Sequence, residues 1–164
     1  LISIGVGILY FLVNLVLCLK SVLFKITWVS NVSNRQMIQE IIWYCNDILY
    51  NKGIRYFPPL RISYYRHRSY LGVFKNKEIV IYIKNNPNIQ TLTNSVLHEV
   101  NHFVQSQTDT KEYLKYEVYS KTLGYDKNPL EIECCHFADK WLKPCLRHLD
   151  NKNIIIRKTI WYNL

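Results

Sequence analysis

The chain has 164 residues, of which 49% are hydrophobic and 14% aromatic, and its formal net charge is +9. This apolar content excludes the polar composition of an intrinsically disordered protein. The basic residues are scattered along the chain rather than gathered in one run, so we predict a solvated basic surface and no nucleic-acid partner.

The N-terminal residues 1–19 (LISIGVGILYFLVNLVLCL) carry no charge, and as a helix they would span about 28 Å, enough to cross a bilayer. We therefore predict an apolar transmembrane or membrane-associated helix and linker in residues 1–30, with membrane contact through residues 1–29. A cleaved signal peptide and a buried core helix are the alternatives. Lys20, Lys25 and Arg35 follow the segment, so the positive-inside rule predicts a cytoplasmic location for the domain of residues 31–164.

The next elements are a helix and a small sheet. Residues 35–50 have helical apolar spacing, with Ser33 or Asn34 as the N-cap and Gly53 just beyond the end. Residues 60–65, 70–74 and 77–84 have the β-branched and aromatic content of strands, and they predict a small antiparallel sheet. The tail, residues 153–162, predicts a final strand or an apolar arm.

Three further helices follow the first two elements. We predict helices over residues 89–107, over residues 111–123, which Gly124 ends, and over residues 130–142, where Asn128 is the cap. Pro144 is expected to bend or stop the last of these. Strands and helices in this order predict the α+β class.

The predicted helix at residues 89–107 contains the motif His98-Glu99-x-x-His102. Residues four apart share one helix face, so both imidazoles can bind one metal ion. Two neutral imidazoles leave Zn²⁺ Lewis acidic, and Glu99 can then accept a proton from a zinc-bound water that attacks a carbonyl group. The motif therefore predicts a hydrolytic Zn²⁺ site with Glu99 as the catalytic base.

A catalytic zinc ion needs a third protein ligand and an open fourth position. The downstream candidates are Glu131, Glu133, His136 and Asp139. Glu131 and Glu133 lie about 200° apart around a helix, so only one of them can face the metal. The spacing alone does not decide between them.

Residues 131–144 (EIECCHFADKWLKP) decide the choice, because they resemble the helix that follows the H-E-x-x-H helix in the ImmA/IrrE-like zinc metallopeptidases. That family's pattern is E-x-x-A-N-x-F-A-x-x-L-L-x-P. Phe137, Ala138, Leu142 and Pro144 match it, and Glu131 occupies the position of the metal-binding glutamate. The resemblance implies Glu131 as the third zinc ligand, a zincin-like fold of the gluzincin type and hydrolysis of peptide bonds.

Two features depart from the family's pattern. Cys135 stands where the family has asparagine, which removes a polar group that could bond a ligand histidine. The apolar N-terminus is foreign to the usual members of the family, so their role in cleaving a repressor protein is not carried over. The five cysteines are odd in number and lack disulfide spacing, which favours a reducing compartment.

The sequence thus predicts a zinc metallopeptidase, more consistent with an endopeptidase than an exopeptidase, with protein or peptide substrates. Strand residues 78–83 are a candidate edge for pairing with an extended peptide. A donor to the oxyanion is also expected, and the available side chains are Tyr116, Tyr119, Tyr125, His136 and His148. The alternative function is a non-catalytic, zinc-stabilised binding domain at a membrane surface.

Overall fold

The computed structural model describes the backbone of residues 22–163 and the side chains of residues 27–158. The apolar helix predicted in residues 1–19 lies outside the described residues. Among the residues that the structure describes, no helix combines the length and the apolar character needed to cross a membrane. The α+β class is confirmed, because strands and helices form separate runs along the described chain.

The strands are β1 (Val22–Ser30), β2 (Leu60–Ser63), β3 (Gly72–Lys75), β4 (Glu78–Tyr82) and β5 (Ile155–Asn163). The helices are α1 (Asn34–Tyr44), α2 (Asn46–Asn51), α3 (Ile89–Thr108), α4 (Thr110–Tyr113), α5 (Tyr116–Leu123) and α6 (Pro129–Asn151). Short 3-10 turns occupy Ile83–Asn85 and Tyr125–Lys127.

The described chain divides into two compact units, one that contains residues 22–27 and 157–163 and one of residues 28–156. Strands β1 and β5 pair with each other in a two-stranded sheet. Residues 22–30, which the sequence analysis assigned to a linker, are therefore a strand, and the predicted strand of the tail is β5. The larger unit contains the H-E-x-x-H helix and the three-stranded sheet.

The three-stranded sheet has the order β2-β4-β3, so β4 is its central strand. Strand β3 is antiparallel to β4, but β2 is parallel to it, so the expectation of a wholly antiparallel sheet is wrong. Asn76 and Lys77 both have positive φ, 53° and 63°, as in the tight hairpin turns that join antiparallel strands. The longer connection from β2 to β3 has no such restriction, and it places β3 on the far side of β4.

Helix α1 begins at the predicted cap. The Ser33 Oγ accepts the Gln36 N–H at 3.3 Å, and the Gln36 side chain accepts the Ser33 N–H at 3.1 Å. The single predicted helix of residues 35–50 is divided at Cys45 into α1 and α2. Burial of apolar side chains continues through the break to Leu49, so apolar spacing alone could not reveal it. The predicted helix of residues 111–123 is likewise divided, into α4 and α5.

Helix α6 continues past Pro144 to Asn151, so this proline does not stop the helix. Proline in a helix interior costs about 3 kcal/mol, because it removes one hydrogen bond and crowds the preceding turn. Beyond it, Leu146 and Leu149 are 5% and 0% exposed. Burying two leucine side chains contributes about 3–6 kcal/mol, which offsets the cost of the proline.

We expect Leu149→Ala to lower the free energy of unfolding by about 2–5 kcal/mol, because it empties a core position on the part of α6 beyond Pro144. The exposed Arg147 on the same turn is the matched control, and Arg147→Ala should change stability by less than about 0.5 kcal/mol. Equilibrium denaturant unfolding of both variants measures the difference. Equal effects would contradict the packing of this helix end against the core.

Candidate metal centre and active-site cleft

Helix α3 presents both motif histidines on one side. Asn88 caps the helix by accepting the Thr91 N–H at 2.8 Å, and the other helix faces are held in the core. The His98 and His102 rings lie with their centroids 4.9 Å apart, in an edge-to-face arrangement. The four-residue spacing therefore places the two imidazoles side by side, as the motif predicted. The fully buried apolar neighbours that anchor the helix are Val96, Leu97, Val100 and Phe103.

Helix α6 places Glu131 against these rings. The His98 Nε2 lies 3.0 Å from the Glu131 Oε2, and the His102 Nε2 lies 3.2 Å from the Oε1 of the same carboxylate. Asn128 caps α6 by accepting the Leu130 N–H at 3.0 Å, which fixes the first turn of the helix and with it Glu131. Two imidazole nitrogens from α3 thus contact one carboxylate from α6, although His98 and Glu131 are 33 residues apart in sequence.

The environment of Glu131 favours its ionised form. The side chain is nearly buried, and this burial by itself would raise the pKa of the carboxyl. Hydrogen bonds from His102 and His98, the charge of the His102 ring, and the Tyr116 hydroxyl act in the opposite direction and hold the pKa well below its usual range. The result is an anion held in the interior by donors on three sides.

Glu99 lies beside this centre and is only 6% exposed. Its carboxylate accepts a hydrogen bond from the backbone N–H of Phe74 on β3. Gly72 on the same strand comes so close that a Cβ atom there would lie 2.9 Å from the Glu99 Cγ and 3.2 Å from its Oε1. The glycine therefore makes room for the carboxylate between the strand and α3.

Burial raises the pKa of Glu99 to about 7, and the nearby Glu131 carboxylate acts in the same direction. His98 and the Phe74 N–H counter the increase. A carboxylate with a pKa near neutrality can both accept and return a proton, which is the property required of a general acid–base group.

A cleft with a volume of about 530 Å³ opens onto Glu99, Glu131 and the two imidazoles. Strand β3 forms one wall, and tyrosines from α4, α5 and the following 3-10 turn form the other. Burial and the Glu131 carboxylate raise the pKa of Tyr116 and of Tyr125 above the usual tyrosine range, so both phenols stay protonated and can donate. Burial raises the pKa of Tyr113 to about 12.

The far side of the His102 ring is also occupied. The His102 Nδ1 lies 3.0 Å from the Gln105 Oε1 and 3.3 Å from the Cys134 Sγ. His98, His102 and Cys134 have potential metal-binding atoms within 4.8 Å of one another, so they form a second possible donor set. Both Nε2 atoms face Glu131, whereas the thiol lies on the Nδ1 side of His102. Burial raises the pKa of the Cys134 thiol.

The other candidate ligands lie elsewhere. His136 and Asp139 are exposed on α6, and Glu133 accepts a hydrogen bond from the Gln105 Nε2 at 2.9 Å instead of facing the histidines. Cys135 is exposed, and its Sγ lies 4.0 Å from the His98 Nδ1. Of the downstream acidic residues considered, Glu131 alone contacts both imidazoles.

Only some of the candidate oxyanion donors lie at the cleft. Tyr116 and Tyr125 line the cleft. Tyr119 donates instead to Glu112, and His148 lies 2.9 Å from the Glu40 Oε1 at the α1–α6 contact. His136 is exposed on α6.

The proposed peptide-binding edge must be corrected. Residues 78–82 form β4, which is paired on both sides and has no free edge. Strand β3 is at the edge of the three-stranded sheet and lines the cleft.

Three participants were missed by the sequence reasoning. Gln105 was detectable, because it follows His102 by three residues and so shares its helix face. Gly72 was detectable as a glycine inside a strand pattern, which marks a close approach of another group. Tyr113 carries no local signal, because its position depends on how α4 folds back over α3.

Comparison of the chain with protein-family models, with curated proteins and with solved structures found no match. The resemblance to the ImmA/IrrE-like metallopeptidases therefore stays a prediction from residues 131–144.

We expect Gly72→Ala to destabilise the protein by about 1–3 kcal/mol, because the new methyl group overlaps Glu99 and comes within 3.0 Å of the Ile81 Cδ1. In a Glu99→Ala background the overlap with the carboxylate is absent, so the same substitution should cost about 0.5–3 kcal/mol less. Denaturant unfolding of the two single variants and the double variant measures this coupling. Additive effects would contradict the contact between strand and carboxylate.

Proposed function

We propose that this protein is a zinc-dependent metallopeptidase in which His98, His102 and Glu131 hold the metal and Glu99 is the general base. One observation carries the proposal: two imidazole Nε2 atoms meet a single buried carboxylate at 3.0 and 3.2 Å. A second carboxylate, Glu99, lies beside them at the inner end of an open cleft.

The donor set fits a catalytic zinc ion. Two histidines and one glutamate are a ligand set of hydrolytic zinc sites, which keep a fourth position for water or substrate. When bound, zinc supplies a Lewis acid that polarises the substrate carbonyl and makes water more acidic. The opening of the cleft towards the three side chains supports access of a substrate to that fourth position.

The two carboxylates have different roles because their surroundings differ. Glu131, whose pKa is held low, stays ionised and binds the metal. Glu99 accepts a proton from the attacking water and later donates it to the leaving amine. The Phe74 N–H orients the Glu99 carboxylate, and Gly72 allows it to approach the strand. The Tyr116 and Tyr125 hydroxyls on the opposite wall both bond Glu131, and a hydroxyl that exchanges this bond for one to the substrate would donate to the developing oxyanion.

The free edge of strand β3 supports the proposal that the substrate is a peptide. The Tyr82 N–H donates to the Leu71 carbonyl at 3.0 Å, so this pair of residues is hydrogen-bonded across the hairpin. In an antiparallel ladder such pairs alternate with pairs whose N–H and C=O groups point outward. The backbone groups of Gly72 and Phe74 therefore point away from β4. The Phe74 N–H already donates to Glu99, so an extended peptide can pair with the Gly72 N–H and C=O and with the Phe74 C=O.

The arrangement of elements supports the finer assignment to a zincin-like fold of the gluzincin type. A mixed sheet whose edge strand is antiparallel to its neighbour lies beside the H-E-x-x-H helix, and a following helix supplies the glutamate. Membrane association through residues 1–29 and a cytoplasmic location stay predictions from the sequence.

We expect the full chain, folded with zinc present, to retain about one zinc ion, as a single three-ligand site requires. His98→Ala and Glu131→Ala should lose the metal, because each removes one of the three ligands. Mass spectrometry of the metal content after dialysis measures the result.

Two neighbours on α6 are the controls for this measurement. Glu133→Ala and Cys134→Ala should retain zinc, because neither side chain lies on the Nε2 side of the histidines. Loss of zinc from Cys134→Ala together with retention by Glu131→Ala would instead assign the metal to the donor set that contains the cysteine.

We expect Glu99→Gln to retain zinc and to lower the rate of cleavage of an unfolded protein substrate by about 10²–10⁴-fold, because an amide cannot accept the proton. Glu117→Gln is the matched control, since Glu117 also lines the cleft but is exposed. Product analysis by mass spectrometry with each variant measures the effect. Zinc binding without any cleavage by the wild-type chain would support the zinc-stabilised binding domain.

A further inference from the structure

We infer that Gln105 is a positioning residue that keeps a proton on the Nδ1 of His102, so that only the Nε2 of this ring can bind a metal. The inference rests on the proposed function for its catalytic consequence. It rests on hydrogen-bond geometry for the position of the proton itself.

The orientation of the Gln105 amide is determined by two acceptors. Gln105 is 4% exposed, and its Nε2 donates to the Leu130 carbonyl at 3.0 Å and to the Glu133 Oε2 at 2.9 Å. A carbonyl and a carboxylate oxygen only accept, so the group facing them must be the NH₂ end of the amide. The opposite orientation would place the amide oxygen against two other oxygens.

The amide oxygen must then face His102. The Gln105 Oε1 lies 3.0 Å from the His102 Nδ1, and an amide oxygen only accepts. The Nδ1 therefore carries a proton, whether the ring is charged or neutral. The Nε2, which faces the Glu131 Oε1 at 3.2 Å, is therefore the only ring nitrogen whose lone pair can be freed for a metal.

Cys134 fits the same arrangement. Its Sγ lies 3.5 Å from the Gln105 Oε1 in donor geometry, and it accepts the Asn101 Nδ2 at 3.4 Å. An amide oxygen has two lone pairs, so it accepts both the thiol and the His102 Nδ1–H. The thiol thus lies against the outer side of the ring without replacing the glutamine.

The two candidate ligand histidines differ in this support. The His98 Nδ1 lies 4.0 Å from the exposed Cys135 Sγ, whereas the His102 Nδ1 donates to the buried amide oxygen of Gln105. Bonds of this kind orient a ligand ring and increase its basicity, and their loss costs about 10–100-fold in metal affinity.

The first measurement uses the metal-free full chain with ¹⁵N-labelled histidine. Long-range ¹H–¹⁵N NMR spectra at neutral pH should show a protonated Nδ1 on His102. An unprotonated Nδ1 would overturn the inference. This measurement needs no zinc and no activity, so it also decides the inference if the proposed function fails.

The second measurement compares zinc affinities by competition with a chromophoric chelator. Gln105→Leu should bind zinc about 10–100-fold more weakly than the wild type. Solvent exchange of its His102 Nδ1 proton should also be faster. Gln107→Leu is the matched control on the same helix, because Gln107 bonds Tyr56 and Ser106 and not the histidine.

The control should keep the wild-type affinity and exchange rate. A Gln105→Leu variant with wild-type zinc affinity and an unchanged Nδ1 proton would overturn the positioning role. If Gln105→Leu does not fold, Gln105→Met, which is closer in shape, takes its place with the same expected loss.

Discussion

Placing the Glu131 carboxylate in the interior is the constraint on which the rest of the centre depends. Glu131 is 3% exposed, and an ionised carboxylate without partners would be strongly unfavourable there. His98 and His102 from α3 and Tyr116 from α5 supply the hydrogen bonds that stabilise it. The donors come from two helices, so burial of the Glu131 carboxylate requires both the contact between α3 and α6 and the return of α5 across the cleft. The same arrangement is the three-ligand set that a zinc ion needs.

The second carboxylate, Glu99, distinguishes the proposed catalytic site from a structural zinc site. A structural zinc site closes its coordination with protein ligands and has no need of a buried base next to it. Here Glu99 lies between α3 and β3, with Gly72 giving it space and the Phe74 N–H orienting it. Because β3 is an edge strand in the described three-stranded sheet, the backbone that orients the base also offers a pairing edge to an extended peptide. The proposed base and the proposed substrate edge are therefore parts of one local structure.

Support for the centre extends outward in layers. The Gln105 amide links His102 to the first turn of α6 through Leu130, so the helix that provides Glu131 also holds the ring of His102 from behind. Farther along α6, the His148 Nε2 lies 2.9 Å from the Glu40 carboxylate on α1. The Lys152 Nζ, just beyond the end of α6, lies 2.6 Å from the same carboxylate, so these contacts join the end of α6 to α1. These contacts explain why α6 continues as a helix beyond Pro144, since its second half carries both core leucines and this polar contact.

The sequence by itself determined the features that depend on local spacing. The four-residue separation of His98 and His102, the caps at Ser33 and Asn128 and the α+β class were all readable, because helix geometry relates residues a few positions apart. Tertiary structure decided the rest. Spacing left residues 131 and 133 equivalent as candidate ligands and the family resemblance favoured Glu131, but only packing brings this carboxylate to the histidines. The free edge of the three-stranded sheet is β3 and not the predicted β4, because strand order depends on contacts distant in sequence. The roles of Gly72 and Gln105 likewise follow from elements far apart in the chain that meet only after folding.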